Sequence, residues 1–197
     1  RAIAVVDGDP VVIAVGTSEG IWTGGMSADG KAGGKWVKMD SGGCGGIAVD
    51  RKDFFAATTA GEGKDSHLVR WRAGDTKAIE TRAVSKSAVT SLAAVNSGQK
   101  AKASLYATVE NVGILKSADA GETWRTVAEW KGQRDILVPT DRGDIAYAAQ
   151  EDGHEVWRTE DGGETWKSIF RMTGEGKNVD VAWTQTFLRW DYSISHL

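Results

Sequence analysis

The chain has 197 residues, 41% of them apolar and 26% charged, with a formal net charge of −3. That balance fits a globular fold; no run approaches the roughly 18 apolar residues of a membrane helix, and no Lys/Arg block suggests a nucleic-acid partner. The single cysteine, Cys44, excludes an internal disulfide and forms no metal pattern.

The chain opens at Arg1, without an initiator Met, and runs directly into the apolar stretch Ile3–Val6. It is expected to be a processed product or a segment of something longer. Alternation and turn signals then divide it at a period of about 44 residues. Short first runs recur at 3–6, 47–49, 91–95, 136–138 and 179–183. Second runs rich in small residues follow at 11–15, 54–58, 104–108 and 145–149. Third runs lie at 20–22, 67–71, 113–115 and 155–157, and fourth runs at 35–39, 78–84, 123–127 and 165–169. The 25 glycines, set against 2 prolines, suit many tight turns. Gly42–Gly46, which encloses Cys44, reads as one of them, with the thiol as a buried small residue. No stretch holds a helical period for three turns.

Six of the nine Trp fall into two repeat positions: Trp22, Trp71 and Trp157 in the third run, and Trp36, Trp124 and Trp166 in the fourth. Leu115 and Glu80 fill the remaining slots. Such regularity marks packing residues between stacked units, each burying a large ring. Trp130, Trp183 and Trp190 stand outside the slots and are freer for another role. Four strands per unit, apolar on both faces, must stack on neighbours, and radial stacking gives an all-β propeller of four-stranded antiparallel blades. The chain holds about four and a half of them. The blade limits are expected near 1–40, 41–86, 87–130 and 131–172, with a partial unit at 173–197. This count favours a segment of a larger ring.

Two segments are near copies: SADAGETW at 117–124 and TEDGGETW at 159–166. Each sits between a third and a fourth run. The carboxylate at Asp119 or Asp161 can accept backbone N–H bonds within its own turn. Gly121 and Gly163 supply a backbone angle other residues resist. The hydroxyls of Ser117, Thr123, Thr159 and Thr165 offer further ties, and Trp124 and Trp166 anchor the turns. These segments resemble the Asp-box, or BNR repeat, of sialidases, xyloglucan-degrading hydrolases, sortilin-type receptors and a photosystem II assembly factor. Blade one carries a degraded version from Ser27 to Trp36, and blade two retains only Asp75.

The resemblance implies a peripheral, structural role for the boxes and a secreted, periplasmic or lumenal setting. It does not extend to sialidase chemistry, because the Arg-Ile-Pro signature is missing. Tyr106 and Tyr147 share one repeat slot, which marks them as structural. His67, His154 and His196 sit in unrelated loop or strand-end contexts. No catalytic, cofactor or metal residue is assigned, and no cofactor is expected. The expected function is a non-catalytic scaffold binding a protein partner or glycan, as part of a larger chain or complex. The alternative is a portion of a polysaccharide hydrolase acting through two carboxylates across a cleft. Ligand-facing loops are expected just before the first runs: Lys86-Ser87, 174–177, and 132–135, with Arg134 and Asp135 as the first choices.

Overall fold

A computed structural model describes residues 2–8, 10–26, 35–59, 65–95, 102–130, 135–139, 144–150 and 155–171, with only the backbone for 135–139 and 150. Sixteen strands form four sheets. The first contains β1 (Ala2–Val6), β2 (Val11–Thr17), β3 (Gly20–Met26) and β4 (Val37–Asp40). The second contains β5 (Gly43–Asp50), β6 (Asp53–Thr59), β7 (Ser66–Arg72) and β8 (Glu80–Ser85). The third contains β9 (Val89–Val95), β10 (Ser104–Val109), β11 (Gly113–Ser117) and β12 (Arg125–Glu129). The fourth contains β13 (Asp135–Pro139), β14 (Ala146–Gln150), β15 (Glu155–Thr159) and β16 (Lys167–Arg171). Every sheet is an antiparallel meander in chain order.

The sheets stack face to face in sequence, and their first strands lead: β1 lies against β5, β5 against β9, and β9 against β13. Strand alternation supplies both faces. Along β6, Phe54 and Ala56 join Ala14, Ile21 and Met39 of the first sheet. Their neighbours Phe55 and Ala57 join Leu92, Leu105 and Leu115 of the third. Tyr106 and Ile114 meet Ala146 and Ala148 of the fourth. A strand buried on both faces reads as a continuous apolar run rather than an alternating one, and Phe54–Thr58 is such a run. Trp71 is fully buried and stacks on Phe54 with centroids 5.2 Å apart and planes 11° from parallel. Such a pair contributes about 0.5–1.5 kcal/mol beyond the area it buries.

Only Gly42 of the glycine cluster lies in a turn; Gly43–Gly46 form the start of β5, with a bulge between Cys44 and Gly46. A Cβ on Gly45 would lie 1.8 Å from the Val89 carbonyl oxygen, and one on Gly46 would lie 2.5 Å from the Leu92 nitrogen. Gly45 and Gly46 are there because β9 crosses their backbone closely. Cys44 is half-buried rather than buried, and burial raises its thiol pKa.

Four of the six Trp in the repeat slots lie at sheet junctions: Trp71, Trp124, Trp157 and Trp166. Trp22 and Trp36 line an open face of the first sheet instead. Trp130, set apart by its position in sequence, also packs at a junction, 5.4 Å from the Trp157 ring and 6.2 Å from the Trp166 ring.

Candidate functional site

The two near-identical segments form the hairpin turns β11–β12 and β15–β16, and their bonding is the same atom for atom. In the third sheet, Ser117 Oγ donates to Asp119 Oδ1 at 2.7 Å and accepts the Gly121 N–H at 2.8 Å. Asp119 Oδ1 also accepts the Thr123 N–H at 2.9 Å, and Oδ2 accepts the Thr123 hydroxyl at 2.7 Å. In the fourth sheet Thr159 Oγ1 donates to Asp161 Oδ1 at 2.8 Å and accepts the Gly163 N–H at 2.8 Å. Asp161 then accepts the Thr165 N–H at 2.9 Å and the Thr165 hydroxyl at 2.5 Å. Hydrogen bonds to an ionised carboxylate favour that form. The Thr123 hydroxyl and N–H accordingly bring Asp119 down to about 2, and those of Thr165 hold Asp161 lower than an ordinary carboxylate. Neither group can serve as a general acid near neutral pH.

The turns also face their neighbours. Gly121 lies at φ 89°, and a Cβ there would meet Leu68 Cδ2 of the second sheet at 2.2 Å. Gly163 lies at φ 96°, close to Val127 and Tyr106 of the third sheet. The Gly162 carbonyl accepts two bonds across that junction, from the Tyr106 hydroxyl at 3.0 Å and from Lys116 Nζ at 2.6 Å. Burial raises the Tyr106 pKa to about 12 and lowers that of Lys116. Arg125 and Glu164 pair across the same junction. The sequence signalled Tyr106 as structural through its repeat slot; Lys116 carried no signal, because its partner is a backbone carbonyl 46 residues away.

At the opposite end of the sheets lie the connections into the first strands. The one entering β9 is held from below. Ser66 is fully buried; its hydroxyl donates to the Ser87 carbonyl at 2.9 Å and accepts the Val89 N–H at 2.9 Å. The Ser87 N–H in turn donates to Ser85 Oγ at 3.1 Å. The connection entering β5 is braced by the Gly42 N–H on Asp40 Oδ1 at 2.7 Å. A Cβ on Gly43 would approach the Ser18 carbonyl at 3.3 Å, so the β2–β3 turn lies beside it. The two expected ligand-facing residues are not brought together here. Arg134 lies outside the described residues, and Asp135 opens β13 as backbone only. Residues 174–177, Trp183, Trp190, His154 and His196 also lie outside the described residues. His67 is the second residue of β7 and half-buried. Asp75 accepts the Arg72 N–H at 3.0 Å, and Glu80, in the Trp slot of the second sheet, pairs with Arg82. Among the described residues no cluster of three His, Cys, Asp or Glu could hold a metal ion, and no helix is long and apolar enough to cross a membrane.

No known protein-family profile and no curated protein matches the sequence. The fold does match solved structures. A GH74 xyloglucanase from Xanthomonas campestris superimposes with a TM-score of 0.65 at 13% identity, over 86% of this chain and 31% of that one. The WD40 repeats of RRP9 superimpose at 0.60 and 15% identity, over 91% of this chain and 52% of that one. YCF48 bound to D1 peptide superimposes at 0.58 and 16% identity, over 84% and 51%. The chain is a β-propeller. Its four sheets are blades, with β1, β5, β9 and β13 innermost and the two braced turns on the outer strands. The propeller spans about half the length of the WD40 and YCF48 chains and under a third of the xyloglucanase.

Proposed function

We propose that this propeller is a non-catalytic interaction module. It presents the blade end that carries residues 41–42 and 86–88 to a segment of a partner protein, as part of a larger chain or assembly outside the cytoplasm. The two braced turns are Asp-boxes in this reading. The observation that carries it is the Ser66 clamp. A fully buried hydroxyl fixes the connection between the second and third blades from both sides, so that Lys86 and Ser87 are displayed on a rigid scaffold. Backbone held in this way loses little freedom when a partner binds, which favours affinity. The likeness to YCF48, solved with a bound D1 peptide, supports a peptide as the partner class. Arg134 and Asp135 would extend the same rim at the entrance to β13.

The likeness to xyloglucanases supports a second reading, a portion of a polysaccharide hydrolase. The test separates the two. A random peptide library displayed on phage is panned against the 197-residue chain, and the chain is incubated with xyloglucan while reducing ends are measured. The module predicts an enriched peptide consensus whose binding falls at least tenfold in a Lys86→Glu/Ser87→Arg variant. Release of reducing ends, or peptides indifferent to that variant, would overturn it.

A further inference from the structure

The second blade sorts its charges by sign at the end that carries the β5–β6 and β7–β8 turns. The Ala73 N–H donates to the Lys52 carbonyl at 2.7 Å, and register sets Arg72 opposite Asp53, so the two turns form one surface. The acids there are engaged within it. Asp50 is 2% exposed and pairs with Arg51 at 3.1 Å. Asp53 pairs with Arg70 at 2.9 Å, and Asp75 accepts the Arg72 N–H. The cations Arg51, Lys52, Arg72 and Lys77 are all exposed, in a chain whose net charge is −3. Beside them Ile79 is 59% exposed; among the described residues it is the one exposed large apolar side chain outside the first blade.

The repeat shows that this surface is peculiar to the second blade. Its β7–β8 turn stands where the third and fourth blades have their braced turns. Those turns are acidic, with Asp119 and Glu122 in one, Asp161 and Glu164 in the other, and no cation within 118–124 or 160–166. A local rule kept by two repeats and broken in a third points to function at the odd one. A second rule is broken at Arg51, which lies at φ 58° in the β5–β6 turn. Gly, Asn or Asp is the ordinary residue at such an angle, and an arginine persists there only when its surroundings hold it. Buried Asp50 does so, and a positive charge is kept where the backbone alone selects against it. The first and third blades flank this surface, and the sequence nearby brings no acidic cover. The β3–β4 and β9–β10 connections, 27–36 and 96–103, hold one Asp and four Lys between them, and 172–197 scatters three acids among two cations.

We propose that this end of the second blade binds an acidic segment of a partner protein, with carboxylates on Lys52, Arg72 and Lys77 and an apolar side chain on Ile79. Arginine takes a carboxylate through two parallel N–H bonds, and lysine takes it as a point charge. The exposed Ile79 favours a polypeptide, which sets apolar side chains among its carboxylates, over a sulfated polysaccharide, which has none to offer. Arg51 stays on Asp50 and adds its field without needing a new partner. The surface lies at the blade end opposite Lys86 and Ser87 and does not depend on the rim described above.

The probe is a fluorescein-labelled peptide of about ten residues, one Leu set among Glu, titrated with the 197-residue chain in about 50 mM salt and read by fluorescence polarisation. Saturable binding is expected with a Kd below about 100 µM. It should weaken at least tenfold in Lys52→Glu/Lys77→Glu and about threefold in Ile79→Ser, with unchanged far-UV circular dichroism, because all three side chains are exposed. Raising the salt to about 300 mM should weaken it, and a peptide with Gln for Glu should not bind. The Lys86→Glu/Ser87→Arg variant should bind as the native chain does, which separates this surface from the rim. No saturable binding, or binding indifferent to Lys52→Glu/Lys77→Glu, would overturn the proposal. Dextran sulfate that binds the native chain and Ile79→Ser equally, and more tightly than the peptide does, would overturn it in favour of an anionic polysaccharide. Self-association of the native chain in sedimentation velocity, lost in Lys52→Glu/Lys77→Glu, would instead assign the surface to the acidic turns of a second copy.

Discussion

Replacing Gly45 by Ala tests whether the first strands are held together by close backbone approach. The added Cβ would stand 1.8 Å from the Val89 oxygen and 2.8 Å from its carbonyl carbon. An ordinary carbon–oxygen contact is about 3.3 Å, so β5 and β9 must part by about 1.5 Å. The obstacle is backbone, and no rotamer change relieves it. Overpacking costs about 1–3 kcal/mol in general. Here the separation also loosens Ala48, Val89 and Leu92 in the core between the second and third blades, which places the loss at about 3–4 kcal/mol. Gly25→Ala is the control, because its Cβ would find nothing nearer than Pro10 at 3.7 Å; it should shift stability by less than about 0.5 kcal/mol. Urea unfolding followed by Trp fluorescence reads both. With a slope of about 2–3 kcal/mol per molar, Gly45→Ala lowers the midpoint by about 1–2 M at an unchanged slope. Two variants within 0.5 kcal/mol of each other would refute the close-crossing account of the glycine cluster.

The turn copies offer a test with an unusual sign. Ala120 sits at φ 64° where the other copy has Gly162 at φ 72°, so Ala120→Gly should stabilise by about 0.5–1 kcal/mol in urea unfolding, against the usual direction of Ala-to-Gly changes. Tyr106→Phe removes one of two donors to the Gly162 carbonyl and should cost about 0.5–1.5 kcal/mol. A double-mutant cycle with Lys116→Met should be non-additive, and strict additivity would mean that the two donors do not share that oxygen's role. Asp119 and Asp161 have folded pKa values below the roughly 3.9 of an unfolded Asp, so their contribution is complete above that value and is lost as pH falls through it toward 2 and lower. Urea midpoints measured between neutral pH and about 2.5 should fall steeply for the native chain and less steeply for Asp119→Asn/Asp161→Asn; equal slopes would refute the carboxylate brace.

What was legible in the sequence and what was not divide on physical grounds. Strand positions were legible because a blade buried on both faces needs continuous apolar runs, and Phe54–Thr58 or Leu105–Thr108 can be nothing else at that spacing. The turn bonding was legible because it is local: each Asp reaches only four residues ahead. Gly43–Gly46 read as a turn because that is glycine's local preference, whereas the reason for Gly45 and Gly46 is β9, more than 40 residues along the chain. Trp130 gives no packing signal in the repeat because it occurs once, outside the two recurring slots. The slot rule also expects Trp22 and Trp36 between blades, whereas among the described residues they line an open face, because no described blade lies before the first. The contacts of Lys116 and Ser66 end on backbone carbonyls, and nothing in a side-chain pattern marks which carbonyl will be near.

The double grip on the Gly162 carbonyl gives the stack a polarity. Tyr106 and Lys116 reach forward from the third blade, and the turn that receives them belongs to the fourth. In the same way Gly121 of the third blade is set against Leu68 of the second. Each fastening therefore joins only two consecutive blades, and its parts lie on both of them. Folding can then spread along the stack from whichever pair forms first, with stability accruing junction by junction as in linear repeat arrays. Gene duplication or loss of one unit would copy or delete a donor side and a receiving side together. The number of blades could thus drift over evolutionary time without leaving an unmatched fastening, provided the exchanged unit begins and ends at the same point in the period.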